Sequence, residues 1–97
     1  MHTTARDAAS GVQEIVVRVH GSYSPATVRV KAGRPVRMVF DRQEASGCSE
    51  VVMVPDLGVR AQLPPFQTTV VEFTPAEPGN YPFTCGMGMF RGEIVAR

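Results

Sequence analysis

Apolar residues recur at every second position in short runs along this chain, the spacing of strands that bury one face and leave the other in water. Gln13 to His20 reads as the first strand. The turn residues Gly21-Ser22-Tyr23-Ser24-Pro25 lead into Thr27-Val28-Arg29-Val30-Lys31, whose alternation sends valines to one face and cations to the other. After Gly33-Arg34-Pro35, Val36, Met38 and Phe40 alternate inward against Arg37 and Asp41. Glu50 to Val54 is a fourth strand ended by Pro55, which cannot continue a ladder. Asp56 to Pro65 reads as a long irregular connection, and Thr68 to Thr74 as a strand with Val71 and Phe73 inward. Past the turn stretch Pro75 to Asn80, Tyr81, Phe83 and Cys85 share one parity, and Gly92 to Ala96 forms the last strand. Seven such strands predict an all-β, two-sheet antiparallel sandwich with Greek-key crossings. Met38 and Met53, each in an apolar strand, read as core. Residues 1–11 have no periodicity and are expected as a flexible N-terminal tail, with the domain in residues 12–97.

Composition narrows the possible functions. With 97 residues there is room for one core, and nine glycines and eight prolines fit many short turns. Ten Lys+Arg against nine Asp+Glu leave a formal charge of +1, so no broad basic surface draws nucleic acid. The longest apolar stretches, such as Val51-Val52-Met53-Val54, are far short of a membrane span. The first residues lack the pattern of a secretory signal, so the expectation is a cytoplasmic chain, or the soluble domain of a membrane-anchored or membrane protein. A monomer is expected. No paired acid and base or activated nucleophile stands out, so the chain does not read as an enzyme.

Candidate chemistry is concentrated in Thr84-Cys85-Gly86-Met87-Gly88-Met89-Phe90. A core strand has no reason to alternate sulfur residues with glycine, because glycine removes the packing that methionine would supply. Glycine does allow a short backbone to curl until alternate side chains converge. Thiolate and thioether are the soft donors that select monovalent copper. The second cysteine, Cys48, lies in the polar loop before the fourth strand, which in a sandwich can open at the same end as the Cys85 loop. Glu50, two residues from Cys48, could touch a ligand from outside the first shell. His20, at a strand end before glycine, reads as a surface or cap residue.

These residues carry a resemblance that covers Val12 to Ala96. The opening strand, the Gly21-Ser22-Tyr23-Ser24-Pro25 lead into Val28 to Gly33, the Pro78-Gly79-Asn80-Tyr81-Pro82-Phe83 approach to a cysteine and the Met89 to Ile94 exit resemble the cupredoxin fold. Blue-copper members use two histidines, a cysteine and a methionine. Here Cys48 stands where the first histidine is expected, no histidine follows Cys85, and the chain has only His2 and His20. It is similar instead to the Cu(I)-binding domains of CupA-type copper chaperones and to N-terminal metal-binding domains of some copper-exporting P-type ATPases. That resemblance implies Cu(I) as cargo, one or two ions, held by Cys48, Cys85, Met87 and Met89. It also implies a copper-exporting ATPase, or another copper donor or acceptor, as partner. Three other readings stay open on the residues: a Cys48–Cys85 disulfide in a metal-free interaction domain, Met87 and Met89 as gap-filling core, and electron transfer by copper cycling between Cu(I) and Cu(II).

Overall fold

The alternating runs form the centre of each sheet. The computed structural model describes residues 2–7, 11–45, 49–86 and 88–97. The strands are β1 (His2–Thr4), β2 (Arg6–Asp7), β3 (Gln13–Val19), β4 (Tyr23–Ser24), β5 (Thr27–Val30), β6 (Val36–Arg42), β7 (Val51–Val54), β8 (Val59–Gln62), β9 (Thr68–Phe73), β10 (Gly79–Cys85) and β11 (Arg91–Ala96). One sheet runs β1-β5-β11-β10-β7-β8; the other runs β2-β3-β6-β9, with β4 also on β3. Burial follows the period of two: Val36, Met38, Phe40 and Arg42 are buried along β6, and their neighbours are half-buried. Met38 lies between Ile15 of β3 and Val71 of β9 in register. Phe40 and Phe83, from opposite sheets, meet edge-on with centroids 6.0 Å apart. Each fully buried side chain of this size contributes about 1.5–3 kcal/mol through the hydrophobic effect.

The all-β sandwich is as the pattern predicts, but both sheets are mixed where antiparallel pairing was expected. β1 with β5, β5 with β11, and β3 with β6 are parallel. Between β3 and β6 the chain crosses to the other sheet to form β5, so two passes in the same direction become neighbours without a helical crossover. Residues 2–7, expected as a loose tail, pair with the sheets instead: β1 lies along β5 and β2 along β3. The stretch expected as an irregular connection contains a 3-10 turn at Pro55–Leu57 and then β8, which pairs with β7. Gly58 closes that turn at φ 65°, a left-handed conformation open to glycine, and so starts the hairpin. Met53 is half-buried, because Val52 and Val54 take the inward parity of β7. Phe73 is likewise half-buried and packs against the edge of the core.

Two side chains stitch the sandwich together. Gln13, almost fully buried on β3, accepts from the Lys31 backbone N–H at 2.6 Å and donates to the Lys31 carbonyl at 2.9 Å. One amide thereby acts as a ladder rung at the end of β5, in the opposite sheet. Across β10 and β11, Phe83 is paired with Gly92 and its ring lies directly over the glycine. Register gathers the end of β6, the start of β7, the end of β10, the start of β11 and the β3–β4 turn at one end of the molecule. Cys85 and Met89 lie there.

Candidate metal centre

Cys85 is the last residue of β10 and keeps the inward parity of Phe83, so its side chain is fully buried. The loop that follows turns back over it. The Gly86 N–H donates to the Val51 carbonyl at 3.1 Å, which anchors the departing chain to β7. The Gly88 N–H donates to the Cys85 carbonyl at 3.0 Å, and the Cys85 N–H to the Phe90 carbonyl at 3.2 Å. Gly88 has φ 71°, the left-handed conformation that a side chain would strain. That reversal aims the next two N–H groups inward: Met89 and Phe90 donate to Cys85 Sγ at 3.1 and 3.2 Å. Such an arrangement suits a thiolate, since hydrogen bonds to a charged acceptor are the strong ones. Met89 is 70% exposed, so a buried sulfur residue and a solvent-exposed one share one short loop. Met87 lies outside the described residues.

Cys48 also lies outside the described residues, but both flanks of its segment are defined. Ser49 Oγ donates to Glu44 Oε2 at 2.6 Å, which ties the two flanks together. The other Glu44 oxygen accepts from the Gly21 N–H at 2.6 Å, pinning the flank to the β3–β4 turn. Arg42, buried on the inward parity of β6, donates from Nε to Ser49 Oγ at 2.9 Å and from Nη1 to the Leu63 carbonyl. Arg42, Glu44 and Ser49 thus hold together the two flanks of residues 46–48, and the sequence reading did not single them out. For Arg42 a signal was present: it continues the parity of Val36, Met38 and Phe40. Glu50 is exposed at the rim of an open groove it shares with Arg42 and Leu63, and its backbone carbonyl accepts from the Leu63 N–H at 2.8 Å. His20 is exposed, as expected of a strand-end residue.

Glu44 gives this clamp a pH dependence. Its hydrogen bond from Ser49 holds its carboxyl below the usual carboxylate range, helped by the Gly21 N–H and the nearby charges of His20 and Arg42. A carboxyl depressed in the folded state stabilises the fold above its unfolded value, near 4.3, and loses that contribution as pH falls below it. Thermal melts at pH 7 and at about pH 3 should therefore show the gap between the parent and Glu44→Gln narrowing in acid. A constant gap would show that the carboxylate charge adds nothing to the clamp.

Tyr23 is the other residue at this end that the sequence reading passed over as part of a turn. It is buried, and its hydroxyl has no hydrogen-bond partner among the described residues. Leaving such a group unsatisfied costs roughly 1–3 kcal/mol. Burial pushes the phenol well above its ordinary range, and the nearby charge of Cys85 adds to the shift, so the hydroxyl stays a neutral donor.

The chain belongs to the cupredoxin-like domain family, whose model matches residues 1–96. Two solved structures are similar over all of its length. One is the solution structure of a copper-binding protein in the apo form, 40% identical, with a TM-score of 0.94 and 98% of that chain covered. The other is the metal-binding domain of the Cu(I)-exporting P-type ATPase CopA from Streptococcus pneumoniae, determined with Cu(I); it is 27% identical, with a TM-score of 0.94 and 96% of that chain covered. Reduced auracyanin from Roseiflexus castenholzii shares the fold at 16% identity and a TM-score of 0.69, over 87% of this chain and 96% of that one. No curated protein matches the chain. Among the described residues, no helix is long and apolar enough to cross a membrane.

Proposed function

We propose that this domain binds Cu(I) as cargo and passes it to a partner, with the thiolates of Cys85 and Cys48 as the tight ligands and Met87 and Met89 as weaker thioether ligands. The observation that carries this reading is the Cys85 loop: a buried sulfur receiving two backbone N–H donors, on a glycine-jointed turn that also presents Met89 to solvent. Cu(I) prefers soft sulfur donors. The buried thiolate would retain the ion, while exposed thioether at the rim lets an incoming sulfur ligand attack before the old ones leave. Similarity to a domain determined with Cu(I) supports the same choice of ion. The site could hold one copper on three or four sulfurs, or two coppers with the methionines serving the second. The partner in this reading is a copper-exporting P-type ATPase or another copper donor or acceptor protein. Electron transfer is less well supported, because Cu(II) calls for imidazole and the chain has only two histidines, of which His20 is exposed at a turn.

Anaerobic Cu(I) titration against a competing chelator tests this reading, with the Met87→Leu/Met89→Leu double variant alongside the parent. The parent should take copper from the chelator. The double variant should keep the tightest copper, lose any second one and pass copper more slowly to a chelating acceptor. Because leucine nearly conserves volume, its stability should change by less than about 1.5 kcal/mol. A parent that cannot compete for Cu(I) contradicts the proposed function. A variant equal to the parent in both capacity and transfer makes the methionines packing residues.

A further inference from the structure

Tyr23 sits against the sulfur loop in a way that packing alone does not explain. Its ring contacts Phe83 at a centroid distance of 4.9 Å, Phe90 at 5.6 Å in a perpendicular arrangement, and Phe40 at 6.0 Å. Phe83 precedes Cys85 by two residues, and Phe90 is the residue whose N–H donates to Cys85 Sγ. The phenol is therefore wedged between the two ends of the segment that holds the sulfur, and β4 fixes it there by pairing Tyr23 with Val19. A phenylalanine would fill this aromatic cluster equally well and would not bury an unsatisfied hydroxyl. Yet the hydroxyl is present, is sealed from water and has no hydrogen-bond partner among the described residues.

We propose that Tyr23 is a positioning residue for the copper site, its hydroxyl donating a hydrogen bond to the Cys85 sulfur when the site is loaded. The role presupposes the copper function above and adds a side-chain donor to the Met89 and Phe90 N–H groups on that sulfur. Donors at fixed positions limit the directions from which the sulfur can reach the metal. They also draw electron density from the thiolate, which loosens its hold on the metal and favours handover.

The chain has two tyrosines, and Tyr81 supplies an internal reference because its hydroxyl already donates to the Glu77 carbonyl at 2.6 Å. Protein carrying 13C at the tyrosine Cζ carbon, which responds to hydrogen bonding of the phenol, would be followed by NMR during anaerobic Cu(I) loading, with Tyr23→Phe used for assignment. The Tyr23 signal should move with copper occupancy while the Tyr81 signal stays. Tyr23→Phe should keep the parent's copper capacity, melt higher than the parent in the apo state because the unsatisfied hydroxyl is gone, and release copper to an acceptor several-fold more slowly. A stationary Tyr23 signal with copper bound, equal movement of both signals, or an unchanged release rate overturns the role of Tyr23 and leaves the copper function standing. Failure of the parent to take up Cu(I) overturns both.

Discussion

Replacing Cys48 and Cys85 together with serine is expected to lower Cu(I) affinity by more than the ~10–100-fold typical of losing an outer partner, because the ligands themselves are removed. Serine keeps the size of cysteine but gives up the soft, readily ionised sulfur that Cu(I) selects. At position 85 the new hydroxyl can still accept from the Met89 and Phe90 N–H groups, which now donate to the sulfur at 3.1 and 3.2 Å. The loop therefore keeps its closure and the fold should survive. Near-parent competition for Cu(I) by a folded double variant would remove both cysteines from the site. Thiol counting on the parent addresses the disulfide reading in the same preparation, since an oxidised pair gives no reactive thiols.

The largest effect on stability is expected at Gly92→Ala, a position that supplies no ligand. A Cβ at that position would lie 2.2 Å from the Phe83 ring, with two further ring atoms at 2.5 and 2.7 Å. Real side chains do not approach so closely, so either the ring or the strand must move. The ring has little room, because it is fully buried and held against Tyr23 and Phe40. Overpacking of this kind costs about 1–3 kcal/mol and occasionally more. At the upper end, a domain of this size should melt roughly 10–25 °C lower. Gly86→Ala is the matched control, since its added methyl would meet Val51 at 3.6 Å, an ordinary contact. Equal melting of the two variants would mean that the Phe83 ring has a second place to go.

What was legible in the sequence, and what was not, follows from how local each signal is. Val36, Met38 and Phe40 alternate within one strand, so their burial could be read without knowing their neighbours, and Arg42 follows the same rule although a cation disguises it. In the sulfur loop, the residue types of Cys85 and Met89 and the turn at Gly88 are local properties and could be read, but the burial of Cys85 beside an exposed Met89 could not, since the sequence suggested side chains that converge. Strand direction is different: nothing in Gln13 to Val19 records that β6 will lie alongside it in parallel. β1, β2 and β8 are short edge strands whose order comes from the partner they join, so their own residues give little sign of it. Val59–Gln62 is masked further by the prolines on either side of it, at positions 55 and 64. Tyr23 looked like a turn residue because its partners, Phe83 and Phe90, are more than fifty residues away in the chain.

The claim that sulfur alone holds the copper is tested most directly by X-ray absorption at the copper edge on anaerobically loaded protein. The account predicts an edge characteristic of Cu(I) and a first scattering shell fitted by sulfur alone. A first shell that requires nitrogen or oxygen, or an edge characteristic of Cu(II) in the stable form, would contradict it.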